Sequence, residues 1–276
     1  MTLPEPVDLI AKEIIKLKKE FVNSHFNKSV FLQEVIPLSF PIVPNSQQTL
    51  EHLHRFALNN PIYTCNRKIN IGGIPCIVYE GDISDYWLGS KKYDTNYQPF
   101  YPTWILSAYA LSLGAKLLGF REVVDIGSGD GRIAYCAKAL GMGSTGIEID
   151  SSLADLQNLI CEKTETRYDI INNDATQLDY SAMDVSCPIF FISGLPEMGE
   201  MLAESVLAKV ASRKEDSFGF NFMGSHTMKN YSKDRTMYGW GKVMEKFNLE
   251  LDGVLTLPSF WTSDQEIDTA YVYART

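Results

Sequence analysis

The chain holds 276 residues, 45% of them hydrophobic and 21% charged, with no repeated or low-complexity stretch; this excludes a disordered polypeptide and allows a sizeable core. Its net charge of -9 weighs against nucleic acid as a partner, since phosphate affinity comes mainly from Lys and Arg, and the basic run Lys12 to Lys19 reads as the solvated face of a helix. Five widely spaced cysteines without a CxxC pair, no apolar leader and no run of about 18 apolar residues point to a cytoplasmic protein with no disulfide framework, metal site or membrane segment.

Residues 5 to 24 read as a helix, because Val7, Ile10, Ile14, Leu17 and Phe21 recur at three- and four-residue spacing. The prolines of VIPLSFPIVP, Val35 to Pro44, rule out a central strand there, and Ser46 is placed to cap a short helix over Gln47 to Ala57. Two β-rich runs flank Gly72-Gly73, a dipeptide that supplies the positive φ angles of a hairpin turn. These elements predict a small N-terminal α+β unit, residues 1–95. An irregular segment, DYWLGSKKYDTNYQPFYPTW, then leads to an apolar helix from Trp104 to Leu118.

From there strand and helix patterns alternate, which predicts an α/β domain over 96–276 with a doubly wound, mostly parallel seven-stranded sheet. The strands read as Glu122 to Asp125, Ser144 to Glu148, Tyr168 to Asn172, Pro188 to Ser193, Ser217 to Met223, Gly253 to Phe260 and Thr269 to Ala274. No helix separates the last two, so they are expected to form an antiparallel C-terminal hairpin at the sheet edge.

VVDIGSGDGRIAY places Gly127, Gly129 and Gly131 at every second position between a strand and a helix, where an open α/β sheet receives a ligand beyond the carboxyl ends of its strands. Dinucleotide enzymes favour GxGxxG; here the spacing is GxGxG, and Arg132 stands where their third glycine would be. Glu148, ending the next strand, is an acceptor-only group suited to the two hydroxyls of a ribose. Asp174 in INNDATQ is placed to accept from an exocyclic adenine amine, and Asp125 to hold turn amides or a cationic ligand end. Asp125 and Asp130 would repel a pyrophosphate and suit an ammonium or a sulfonium.

In order, DIGSGDG, GIEID and NDA resemble the cofactor motifs of class I S-adenosylmethionine-dependent methyltransferases, over about Asn96 to Thr276. The resemblance implies S-adenosylmethionine as cofactor, with Asp125, Gly127, Ser128, Gly129 and Gly131 around its methionine part, Glu148 at the ribose, Asp174 with Ala175 at the adenine, and Ser193 lining the site. Tyr101-Pro102-Thr103 in QPFYPTW resembles a segment of the small archaeal protein-lysine methyltransferases and, more distantly, of the non-SET histone-lysine methyltransferases. It implies that Tyr101 and Thr103 close over the cofactor, and LPSFWTS...TAYVYAR is similar to the final hairpin of those enzymes. The 95-residue N-terminal region departs from the small archaeal pattern.

Such a reaction is an in-line displacement in which the enzyme contributes mainly proximity and orientation, without a metal. A lysine acceptor, of ordinary pKa about 10.4, must lose a proton first. Glu197, His226 and Tyr101 are the catalytic candidates, and Tyr231 and Trp261 are further candidates for lining the acceptor pocket. The expected partner is a protein or small-molecule methyl acceptor, with protein lysine as the leading reading and a small molecule or RNA as the alternatives. The Asn/Asp-Pro-Pro-Tyr/Phe signature of amide and base methylation is absent, since its place reads FISGLPEMGE. A non-catalytic S-adenosylmethionine-binding protein is the reading from a different class.

Overall fold

Helix α1 (Glu5–Ser24) starts with proline in its first turn beside Glu5 and Asp8, which suit a helix N-terminus, and turns the stripe Val7, Ile10, Ile14, Leu17 and Phe21 inward. The computed structural model describes residues 3–27, 30, 32–93, 99–194, 196–212, 217–224, 236–258 and 268–276, apart from the side chains of Glu197, Met198, Thr236 and Met237. Strands β1 (Leu32–Pro37), β2 (Tyr63–Ile71) and β3 (Ile74–Gly81) form an antiparallel sheet in the order β1-β3-β2. Pro37 closes β1, which is an edge strand, as the proline pattern requires. The β2–β3 turn is Gly72-Gly73, with φ of 56° and 88°.

Two local expectations change. Helix α2 (Ser46–Asn59) begins after Asn45, which takes the left-handed conformation, and Ser46 does not cap it. The Ser46 hydroxyl instead donates to the Phe40 carbonyl at 2.8 Å and accepts from the Phe40 N–H, closing the preceding loop. The segment expected to be irregular contains a helix, α3 (Ser84–Lys91), which has little amphipathic periodicity and carries Gly89 in its interior.

Helix α4 (Ile105–Leu117) is buried on every side from Ile105 to Ala115, and therefore shows an apolar run rather than a stripe. It lies between α1 and α5 (Arg132–Ala139), and the Tyr273 hydroxyl donates to its Leu111 carbonyl at 2.8 Å. The seven-stranded sheet follows the order β6-β5-β4-β7-β8-β10-β9. Its strands are β4 (Glu122–Ile126), β5 (Gly143–Glu148), β6 (Asp169–Asn172), β7 (Pro188–Ile192), β8 (Gly219–Met223), β9 (Glu250–Leu257) and β10 (Thr269–Arg275). The first five pair in parallel, and β10 runs antiparallel to both β8 and β9, so the C-terminal hairpin ends the sheet as expected. Helices α6 (Ser151–Thr164), α7 (Pro196–Val210) and α8 (Gly241–Lys246) complete the alternation.

One buried cluster joins α1, α2, the small sheet, α4 and α5 to the C-terminal strands, and a second lies under α7 and α8. The N-terminal residues are thus part of the main core: Leu3 sits against Gly253, and the buried Lys18 ammonium meets Asp268 at 2.9 Å. Among the described residues no helix is long and apolar enough to cross a membrane.

Candidate functional site

The turn between β4 and α5 holds all three glycines in the left-handed region, with φ of 69°, 57° and 78° at Gly127, Gly129 and Gly131. Alternation by two in sequence therefore reflects alternation in backbone hand. Gly129 and Gly131 are also held by space: a Cβ would stand 2.6 Å from the Phe100 ring at the first and 1.8 Å from the Tyr168 hydroxyl at the second. The amides of Gly127 and Ser128 donate to the Ile147 carbonyl on β5 at 2.9 and 3.0 Å, which ties the turn to the neighbouring strand. From α6, the buried Gln157 side-chain amide donates to Ser128 Oγ and to the Gly129 carbonyl, each at 2.9 Å.

A cavity of about 150 Å³ opens at the carboxyl ends of β4, β5 and β7, floored by this turn. Every cofactor candidate except Gly131 lines it, drawn from five separate stretches of chain. Gly131 faces away, toward Tyr168 and Gln157, and its part is to start α5.

Glu148 is almost fully buried and accepts the Gly129 N–H at 2.8 Å on one oxygen and the Asp150 N–H at 2.9 Å on the other. Each oxygen keeps a lone pair for a further donor. Burial pushes its pKa up, and the Asp150, Gly129 and Ile149 amides oppose that shift. Asp174 accepts the Thr176 N–H and hydroxyl on one oxygen, at 2.8 and 2.7 Å.

Asp125 departs from expectation. Among the described residues no turn amide reaches it, and its buried Oδ1 has no hydrogen-bond partner. Burial, followed by the nearby Glu148 and Asp130 charges, pushes its carboxyl up to about 8. Asp130, expected to add to the negative field, is instead taken up by Arg132 and by the Asn60 side-chain amide, the latter at 2.9 Å. Asp125, Glu148 and Asp174 are therefore the acids of the cavity that no basic side chain takes up among the described contacts.

One wall is the 99–103 segment. The Phe100 N–H donates to Ser90 Oγ at 2.9 Å, its ring covers Gly129, and Tyr101 stands 44% exposed at the rim, edge-on to Trp87. Thr103 is buried. Of the acceptor-side candidates, Tyr101 meets this cavity, and Glu197 has its backbone on α7, with its side chain outside the described atoms. His226, Tyr231 and Trp261 lie outside the described residues.

Sequence reasoning missed Gln157, Phe100, Asn60 and Glu34. Glu34 offered one signal, as an ionisable residue inside the apolar strand LQEVIP, fully buried in the structure. Gln157 offered none, since a glutamine on an amphipathic helix reads as solvent-facing.

No protein-family model and no curated protein sequence matches the chain. Among solved structures, an O-methyltransferase from Bacillus cereus in complex with S-adenosylhomocysteine (SAH) superposes with a TM-score of 0.50 at 13% identity, over 87% of this chain and 95% of its own. A precorrin-6y C5,15-methyltransferase from Geobacter metallireducens reaches 0.43 at 16% identity, over 62% and 88%. The first of these shows a shared fold, the Rossmann-like sheet of methyltransferases.

Proposed function

We propose that the chain is an S-adenosylmethionine-dependent methyltransferase whose donor site is the cavity above the glycine turn. The observation that carries this reading is the convergence of Glu148, Asp174 and Asp125, whose Oδ1 lacks a partner among the described residues, on one cavity with that turn. These groups accept when ionised, and the buried Asp125 Oδ1, without a hydrogen-bond partner among the described residues, suits a donor or a cation entering the cavity. The sulfonium nucleoside offers a matching set: an ammonium for Asp125, ribose hydroxyls for Glu148 and an exocyclic amine for Asp174. When bound, it supplies a methyl group that a nucleophile takes in line with the departing sulfur.

The residues of this chain supply orientation and dryness. Glu148 holds the Gly129 and Asp150 amides, so the group that would receive the ribose also fixes the turn. Phe100 and Thr103 wall the cavity against water, which strengthens each polar contact within it. On the acceptor side we read protein lysine, from the resemblance of Tyr101-Pro102-Thr103, with a small molecule or RNA as the alternatives.

Calorimetry with S-adenosylhomocysteine tests the donor site, and folded protein that fails to bind at millimolar ligand would end this reading. Both Glu148 oxygens accept backbone amides, so Glu148→Gln sets its NH2 against the Gly129 or the Asp150 N–H, and a thermal melt is measured beside binding to separate turn support from ligand contact. The variant keeps one acceptor oxygen and is expected to weaken binding by about tenfold, or about 1.4 kcal/mol. Transfer of radiolabelled methyl into protein, RNA and small-molecule fractions tests the acceptor, and label confined to RNA would overturn lysine.

A further inference from the structure

Arg132 follows the third glycine, and its guanidinium uses all five of its N–H groups. Nε and Nη2 donate to the two Asp130 oxygens, Nη1 to Glu34 Oε2 at 3.1 Å and to the Thr103 carbonyl, and Nη2 again to the Tyr63 hydroxyl at 3.4 Å. Glu34 also accepts the Ile105 N–H at 3.0 Å and the Tyr63 hydroxyl at 3.2 Å, and Asn60 completes Asp130. One buried side chain thus joins the glycine turn, the 99–103 wall and the N-terminal sheet. Thr103, Asp130 and Arg132 all border the cavity.

As a stabilising device this would be a poor choice. Buried ion networks cost so much desolvation that well-packed apolar replacements are often as stable, whereas a planar five-donor fork fixes its partners in one geometry. The geometry here serves the cavity. The wall and the turn are not continuous in sequence, yet Phe100 must stay packed on Gly129 for the cavity to keep its shape.

We propose that Arg132 is a positioning residue of the donor site: by gripping Thr103 and Asp130 together it clasps the 99–103 wall to the glycine turn. The N-terminal region, through Glu34, Tyr63 and Asn60, is the abutment it pulls against. This assigns the first 95 residues a part in donor binding, and it rests on reading the cavity as an S-adenosylmethionine site.

The test compares Arg132→Met, Asn60→Ala and, as a destabilised control remote from the cavity, Val243→Ala. The readouts are S-adenosylhomocysteine affinity by calorimetry and hydrogen exchange of the Phe100, Tyr101 and Thr103 amides without ligand. Arg132→Met is expected to weaken binding about tenfold or more and to speed exchange in those three amides while α8 keeps its rates. Asn60→Ala, which loosens Asp130 from one side, is expected to cost about threefold and decides the matter if Arg132→Met does not fold. The control should lower the melting temperature without moving either readout. Affinity within about twofold of wild type together with unchanged exchange would overturn the clasp. A wild-type protein that binds no S-adenosylhomocysteine would instead overturn the donor-site reading, and exchange in Arg132→Met would still decide whether the wall depends on Arg132.

Discussion

Asp125 combines full burial, an oxygen without a partner and two acidic neighbours, and each of these favours its protonated form. Its pKa of about 8 in the folded chain stands above the ordinary value of about 3.9 expected on unfolding. Between those values the folded state binds the extra proton, so this group lowers stability as pH rises from about 4 to about 8, and its cost is fully present above that window. Asp125→Asn removes the charge while keeping the shape. The variant is expected to be more stable than wild type by at least about 1 kcal/mol at pH 9 and no more stable at pH 4, as measured by urea unfolding. A cation bound against Asp125 would favour its ionised form, so S-adenosylmethionine binding at pH 7 is expected to release a proton. Calorimetry in two buffers of different ionisation enthalpy reads that proton directly, and equal heats in both would remove Asp125 from the ligand. The sequence showed that an acid stood there; its isolation depended on where neighbouring amides point, which no local pattern reports.

Elements of the site divide by what their spacing reveals. The glycine turn was legible because backbone hand and close approach both demand glycine at fixed intervals. The structure now separates those two demands. Gly127 has positive φ and open space around its would-be Cβ, whereas at Gly131 that atom would meet Tyr168 and Gln157. Gly127→Ala is therefore expected to cost about 1 kcal/mol of backbone strain, and Gly131→Ala at least about 2 kcal/mol more through overlap at the start of α5. Denaturant melts of both variants check the order, and equal losses would mean that strain alone sets the cost. Glu148 and Asp174 were legible because the first ends, and the second closely follows, a strand that the alternation already located. Helix α3 was not, because it has little amphipathic periodicity, and the contacts of Gln157 with the glycine turn and of Arg132 with Thr103, Tyr63 and Glu34 were not, because they span 28 to 98 residues along the chain.

At the scale of the molecule, the sequence suggested a small unit at 1–95 beside a larger domain, because composition and element type change there. Hydrophobic contact follows different boundaries. The inward stripe of α1 lies against α4 and β9, and Leu3 reaches β9 beside Gly253. Fully burying an Ile or Phe contributes about 1.5–3 kcal/mol, so exposing Val7, Ile10, Ile14, Leu17 and Phe21 together would forfeit a sum comparable to the 5–15 kcal/mol stability of a whole domain. The chain is therefore expected to unfold in one cooperative transition, followed by circular dichroism and by tryptophan fluorescence. Trp104 reports the core shared with α1, where its ring lies 6.2 Å from Phe21, and Trp240 reports the opposite face of the sheet, stacked 4.7 Å from Phe222. If the two regions were independent, single-tryptophan variants retaining one or the other would melt at different denaturant concentrations. A fragment spanning 96–276 supplies the second arm: it leaves the α4 and β9 surfaces uncovered, and should bind a hydrophobic dye and lack a sharp transition. A fragment that melts cooperatively at the midpoint of the full chain would show that the N-terminal region folds onto a domain that does not need it.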